Sequence, residues 1–372
     1  MRNDHILSSK IFLFAGAGAS KPFGKWLMDE FIDYLIAQIR DASIPPKGLH
    51  GLLDTIIRYR GKDLENILKE INDLIDKNDY LGDTSYINYL HDILDGEEVR
   101  MKRSASISSY PAFFPSPISK NYSKLNEMCE SLRYTIELMV FNHYGFLEKQ
   151  ESEKIVKFYD PLIKILIDNT GEQIILPIFT TNYDICFEEY GKTKGFELID
   201  GFSLTQLGRE FIWKEDNYDN LKPANVKKYL ILFKLHGSVT WYDDTGIIKY
   251  FTAPIHRASN EKIKNVIIYP AKNKIALDNP FFTAYDYFQR CLDRAQIGIF
   301  IGYSFRDYDT VTKIKSALTF NSNLKILILS PSAPEIISVH FQDFQKRMIP
   351  LPFKFGLESD EELYLKEIPK YL

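Results

Sequence analysis

Ile11-Phe12-Leu13-Phe14-Ala15-Gly16-Ala17-Gly18-Ala19-Ser20 is an unalternating apolar run that opens onto small residues. Such a run reads as a strand buried on both faces, the pattern of a parallel sheet. Where that strand turns into a helix, a backbone bare of side chains lets a phosphate approach N–H groups. Helical spacing follows over 24–40, through Leu27, Phe31, Tyr34, Leu35 and Ile39. Further along, strand-like runs recur at 174–180, 196–199, 229–235, 266–269, 297–302 and 325–330, with helical stretches at 281–295, 306–319 and 333–346. This alternation predicts an α/β fold with a Rossmann-like, doubly wound, mostly parallel sheet.

Between the first strand and the next clear one the pattern is helical. Ala42-Ser43-Ile44-Pro45-Pro46-Lys47-Gly48 breaks the chain. Asp63 is placed to cap a helix whose apolar stripe is Leu64, Ile67, Leu68, Ile71 and Ile75. A Ser- and Pro-rich stretch at 104–119 reads as an irregular loop, and helical periodicity returns at 121–148 and 153–169. These features predict a helical insertion over 46–155 in a domain made of 1–45 and 156–372. Residues 203–265 are less regular and are expected to form a small lobe within that domain.

At 372 residues the chain is long enough for a large core, and its formal charge of −4 gives no global pull towards nucleic acid or acidic membrane. The basic stretch Arg100-Met101-Lys102-Arg103 reads as a solvated loop. Cys129, Cys186 and Cys291 are odd in number and far apart, which suits neither a disulfide framework nor a zinc site. No secretory signal and no membrane-spanning apolar run is visible. The expectation is a soluble cytoplasmic protein with no metal.

Three more strand ends carry polar chemistry. Thr180-Thr181-Asn182-Tyr183-Asp184 closes one strand at a helix start, where Asn182 or Asp184 also reads as a simple cap. Leu235-His236-Gly237-Ser238 closes another, with an imidazole beside a glycine. Ile301-Gly302-Tyr303-Ser304 repeats the design and leads into Arg306-Asp307-Tyr308-Asp309, whose acids suit a first helical turn equally well. The first turn, Gly16-x-Gly18, has Lys21 where a dinucleotide fingerprint would place a third glycine. Ser20 is placed to cap the next helix or bond a phosphate. In open α/β sheets ligands sit outside the carboxyl ends of strands, so these segments are expected to converge on a nucleotide.

In order, Gly16-Ala17-Gly18-Ala19-Ser20, Thr181-Asn182-Tyr183-Asp184, Leu235-His236-Gly237-Ser238 and Gly302-Tyr303-Ser304 resemble the motifs of the Sir2 (sirtuin) superfamily. The chain departs from the deacylases of that superfamily in having one cysteine after His236, Cys291, where they carry a four-cysteine zinc ribbon. It also has Lys21-Pro22-Phe23-Gly24 where they carry a Gly-Ile-Pro-Asp-Phe-Arg type of loop. In these departures it looks like the Sir2-like NAD hydrolases of bacterial antiphage defence systems. The resemblance implies that NAD is the substrate, that no zinc is bound, and that Asn182 and His236 are catalytic. It also implies that Gly16, Ala17, Gly18, Ala19, Ser20, Thr181, Asp184, Gly302, Ser304 and Asp307 bind the nucleotide. A homo-oligomer docked on a separate partner, such as a HerA-type ATPase or a short Argonaute, is expected. A zinc-free NAD-dependent protein deacylase and a non-enzymatic module sensing NAD or ADP-ribose are the alternative readings.

Overall fold

The computed structural model describes residues 9–40, 49–76, 118–169, 175–205, 208, 210–219, 228–251, 263–267 and 278–372. The expected chain break at 42–48, the basic stretch at 100–103 and the loop at 104–119, apart from its last two residues, lie outside the described residues. Two compact units divide the chain, Met1–Leu27 with Phe141–Leu372, and Met28–Val140.

The first unit is built on a seven-stranded sheet in the order β12-β11-β10-β1-β2-β6-β3, parallel at every pairing. Its strands are β1 (Ile11–Ala15), β2 (Ile175–Thr180), β3 (Glu197–Ile199), β6 (Tyr229–Lys234), β10 (Ile297–Ile301), β11 (Lys325–Leu329) and β12 (Met348–Leu351). β1 is central, and the chain winds outward from it in both directions, so the topological switch lies between β1 and β10. This is the doubly wound sheet that the alternating pattern predicts.

Side chains alternate across a strand, so each apolar run feeds two cores. Phe12, Phe14, Phe179, Phe233, Phe300 and Ile328 face one of them, with Phe288 of α8 (Phe281–Arg294), Ile314 of α9 (Tyr308–Phe320) and Ile336 of α10 (Ala333–His340). Ile11, Leu13, Ile178, Leu232 and Ile299 face the other, with Tyr159 of α6 (Lys149–Asp168), Phe187 of α7 (Cys186–Lys194) and Tyr364 of α11 (Glu358–Glu367). An aromatic file crosses the first face, where Phe14 stacks on Phe300 at 4.7 Å and Phe179 on Phe233 at 5.0 Å.

A second, five-stranded antiparallel sheet follows the order β4-β5-β8-β7-β9. It comprises β4 (Phe202–Leu204), β5 (Phe211–Trp213), β7 (Gly237–Asp244), β8 (Ile247–Tyr250) and β9 (Ile263–Ile267). β7 begins at Gly237, three residues past the end of β6, so one short turn joins the two sheets at His236.

The second unit holds α2 (Met28–Arg40), α3 (Leu49–Arg60), α4 (Leu64–Asp76) and most of α5 (Ile118–Tyr144), whose end from Phe141 belongs to the first unit. Phe31, Leu35 and Ile39 of α2 recur every four residues and are buried. Asp63 accepts a hydrogen bond from the Asn66 N–H at 3.0 Å, the cap expected there.

Two expectations need correction. The helix read as starting at Gly24 starts at Met28, because Lys21–Phe23 form a 3-10 turn that closes on Gly24 at φ 85°. The helix read over 333–346 ends at His340 and continues as a 3-10 turn into β12, an edge strand whose Pro350 such a position tolerates.

Candidate functional site

The sequence motifs meet along the carboxyl edge of the parallel sheet. β2 and β6 are neighbours in register, with Thr180 opposite Lys234. Asn182 and His236 therefore each stand two residues beyond one register pair, on strands about 4.8 Å apart. Across β1, the Gly16 and Gly302 turns also lie side by side, since Ala15 pairs with Ile301.

α1 (Ala17–Ser20) is a single turn. The Gly16 N–H donates to the Ile301 carbonyl at 3.0 Å and the Gly18 N–H to that of Gly302 at 2.9 Å. A Cβ on Gly16 would lie 2.6 Å from the Tyr303 Cα, and one on Gly302 only 2.3 Å from the Ala19 nitrogen. Gly302 also has φ 58°, a left-handed conformation that favours glycine. The absence of side chains at these positions thus serves the contact of two backbone turns, and two N–H groups expected to meet a phosphate are engaged by carbonyls. Ala17 is the exposed residue of this turn, Gly18 is half-buried, and Ala19 is buried.

Ser20 makes no capping bond; its Oγ accepts from Asn182 instead. Both Asn182 amide hydrogens are engaged, through Nδ2 to the Gly16 carbonyl at 2.9 Å and to Ser20 Oγ at 3.0 Å. The Asn182 backbone N–H donates to Thr180 Oγ1 at 3.0 Å. Its Oδ1 is left as the acceptor of a side chain that is 8% exposed. Thr181 is half-buried and donates its N–H to the Ala15 carbonyl at 3.3 Å. Asp184 is buried and accepts the Cys186 N–H at 3.0 Å, which fixes the start of α7. The N-cap position itself is Ile185, so Asp184 holds the helix start from one residue before the cap that the sequence allowed it.

His236 is buried, with Nε2 at 3.6 Å from Oδ2 of Asp307. Asp307 caps α9, its Oδ1 accepting the Asp309 N–H at 3.0 Å and its Oδ2 the Thr310 hydroxyl at 2.7 Å. Burial alone would raise the Asp307 carboxyl, but His236 and the Thr310 bonds outweigh it and hold it below the ordinary carboxylate value. The loop that delivers Asp307 is strained. Phe305 stands at φ 55°, an uncommon conformation for a bulky residue. Its buried ring, 4.8 Å from Tyr303 and 5.6 Å from Phe341, holds that conformation in place. Ser304 is exposed beside it. Gly237 stands at φ 82°, and a Cβ there would lie 2.1 Å from the Val266 carbonyl oxygen. This glycine serves the turn into the second sheet.

The sequence reading passed over Lys234, Glu188 and Asp200, and gave Ser238 no role beyond its place in the His236 motif. Lys234 Nζ lies 2.7 Å from Glu188 Oε1 and 3.1 Å from Ser238 Oγ, and it also bonds the Asp184 carbonyl. Burial pushes Glu188 up despite Lys234, and pushes the Asp200 carboxyl up to about 6, against the bond it accepts from the Phe202 N–H. A signal was available, since a lysine inside the apolar run Tyr229–Leu235 has to find buried partners. Lys25 is a second such cation, bound to the His143 and Phe146 carbonyls at 2.9 and 2.7 Å and to Glu151. His143 beside it accepts the Trp26 N–H at 2.9 Å, and burial followed by the Lys25 charge lowers its imidazole to about 4.

Among the described residues no group of three or more His, Cys, Asp or Glu side chains is placed to hold a metal. Cys129, Cys186 and Cys291 are free and buried, and burial pushes the Cys129 and Cys291 thiols up to about 12. No helix among the described residues is long and apolar enough to cross a membrane.

Residues 177–347 match the family model of the SIR2-like domain, which takes in β2 from Pro177, both sheets' junction at His236 and the loop bearing Asp307. No curated protein matches the chain. Among solved structures, a Sir2 homologue in complex with NAD is 12% identical, with a TM-score of 0.40, over 98% of this chain and 93% of that one. Sir2Tm bound to a propionylated peptide is 11% identical, with a TM-score of 0.40, over 98% of this chain and 95% of that one.

Proposed function

We propose, from the match of residues 177–347 to the SIR2-like domain and the geometry of the site, that the chain hydrolyses NAD+ to nicotinamide and ADP-ribose. The observation that carries this reading is the placing of Asn182 and His236 after adjacent in-register strands, with Asp307 at 3.6 Å from the imidazole. Nicotinamide is a cationic ring in NAD+ and leaves as a neutral molecule, so no general acid is required. What the reaction needs is an acceptor for the proton of an attacking water and a means of holding that water against an oxocarbenium-like ribosyl carbon.

The side chains present suit these roles. Asn182 has only Oδ1 left, so it acts as an acceptor, orienting the water or a ribose hydroxyl. His236 takes the proton as the water adds, and the Asp307 carboxylate stabilises the imidazolium that forms. Water thus contributes hydroxide to the ribosyl carbon, where it stays as the hydroxyl of ADP-ribose, and His236 passes the one proton it took to solvent. Ala17, Gly18, Gly302 and Ser304 are accessible in the two glycine turns and would lie against the rest of the nucleotide. Thr181 and Asp184 hold the Asn182 turn in place.

The defence role implied by the resemblance, NAD depletion by an oligomer docked on a separate partner, builds on this chemistry. The experiment is chromatography of NAD+ after incubation with the purified chain, with and without an acyl-peptide, beside Asn182→Ala and His236→Ala. Nicotinamide and ADP-ribose formed without peptide, and lost in both variants, is the expected result. NAD+ consumed only with peptide would make the chain a deacylase, and NAD+ bound but recovered intact would make it a sensor. Release at the parental rate by His236→Ala would overturn the mechanism.

A further inference from the structure

Lys234 has no part in the chemistry above, yet it is a cation only 2% exposed. A charge so placed is expensive, and an apolar side chain of similar volume often serves stability as well or better. The rest of β6, Tyr229 to Phe233, is apolar and buried. What a lysine offers that a methionine does not is three N–H donors on one atom. Here they reach the Asp184 carbonyl, the Ser238 hydroxyl and the Glu188 carboxylate. Ser238 in turn donates to the Tyr183 carbonyl at 3.3 Å, and the Val239 N–H donates to the same oxygen at 3.2 Å. Both carbonyls just past Asn182 are therefore gripped by residues that flank His236.

We infer that Lys234 is a positioning residue, a buried ammonium that staples the Asn182 turn to the His236 turn and sets the distance at which their side chains face the substrate. For its substrate this rests on the NAD reading; the geometry stands without it. Glu188 belongs to the same device. Its charge cancels that of Lys234, so no net positive charge stands behind a site that must receive a cationic nicotinamide ring and a cationic transition state. Its second oxygen, Oε2, is buried with no partner among the described residues, so Lys234 is what holds the carboxylate there. A misplacement on the order of 1 Å between reacting groups costs about 100-fold in rate, so a staple of this kind acts on turnover more than on substrate binding.

The test uses the full chain with Lys234→Met, and Lys234→Met combined with Glu188→Gln, which removes the carboxylate left unpaired. Both are assayed for nicotinamide release, thermal melting and amide hydrogen exchange. The single variant is expected to melt lower and to lose kcat by about 100-fold, with KM changed less than about 3-fold. The double variant is expected to recover melting temperature but not kcat, because neither carbonyl-gripping ammonium nor its link to Ser238 is restored. Peptides covering 181–186 and 235–240 should exchange faster together in the double variant while β1, β10 and β11 stay protected. Full recovery of kcat in the double variant, or unchanged exchange in those two peptides, would reduce Lys234 to a structural ion and overturn the inference. A wild-type chain that leaves NAD+ intact would remove the proposed activity, and the exchange comparison would still decide the staple.

Discussion

Asp307 offers two separable contributions, and two substitutions pull them apart. Its carboxylate caps α9 through the Asp309 N–H and the Thr310 hydroxyl, and it faces the His236 imidazole at 3.6 Å. Asn is as good an N-cap as Asp, whereas Ala costs about 1 kcal/mol. Asp307→Asn should therefore leave the melting temperature nearly unchanged, and Asp307→Ala should lower it by a few degrees. The charge is a different matter. For unit charges at 3.6 Å and an effective dielectric of about 20, attraction is about 5 kcal/mol before the desolvation of both groups is counted. Partial burial offsets part of that, leaving about 2–3 kcal/mol. In the proposed mechanism that attraction exists only while His236 carries the proton it took from water, so its loss falls on the transition state. Both variants should lose kcat by ~30- to 100-fold, with KM for NAD+ little changed. The assay is steady-state nicotinamide release beside calorimetric melting. Equal stability and parental kcat in Asp307→Asn would refute the pairing and leave Asp307 as a cap alone.

Gly302→Ala places a Cβ 2.3 Å from the Ala19 nitrogen and 2.4 Å from the Gly18 carbonyl carbon, at φ 58°. Backbone cannot move aside as a side chain can, so denaturant unfolding should show a loss of about 3 kcal/mol or more, and a loss under about 1 would contradict the close packing. Asn182→Ala leaves the Gly16 carbonyl and Ser20 Oγ without their donor. It should abolish turnover while costing about 1–3 kcal/mol of stability, read from activity and melting of the same preparation. Asp200 sits at about 6 when folded, above its ordinary value, so the folded state holds that proton more tightly. Stability contributed by this group is present at low pH and falls as pH rises from about 4 to about 6. Asp200→Asn keeps an acceptor for the Phe202 N–H and should melt higher than wild type at about pH 8, with the gap closing towards about pH 4.

The parallel sheet was legible because its strands are apolar on both faces, and only a sheet covered on both sides accepts such runs. The order of strands was not. Nothing in Tyr229–Lys234 says that it inserts between β2 and β3, yet that insertion is what brings His236 beside Asn182. The second sheet was legible only as irregularity. Its strands are short, and part of β7 pairs with β9 across a register shift between Gly237 and Tyr242, so no clean alternation marks it. β12 escaped notice because four residues containing a proline carry too little pattern. At the site, Asn182, His236 and Asp307 could be picked out because polar groups at the ends of apolar strands are conspicuous. The partnership of His236 with Asp307 could not, since it joins the ends of β6 and β10, which are not neighbours in the sheet.

A glycine at a strand end admits two physical explanations, room for a ligand or room for another piece of backbone, and sequence alone does not separate them. The second holds at Gly16, Gly18, Gly237 and Gly302, each with a Cβ position within 3 Å of other backbone atoms. Whatever a nucleotide touches, these glycines also act on the site through the backbone they bring together. By letting the β1 and β10 turns touch, they fix the Gly16 carbonyl, and that carbonyl together with Ser20 fixes the amide of Asn182. By letting β6 turn at once into β7, Gly237 fixes His236 at the junction of two sheets. A substitution at any of the four should then act on kcat through the placing of side chains several residues away, even where the nucleotide never touches the altered atom. The same reasoning accounts for Lys234 at its cost: it joins the Asn182 and His236 turns through the Asp184 carbonyl and Ser238, beside the Val239 N–H and Ser238 hydroxyl that hold the Tyr183 carbonyl.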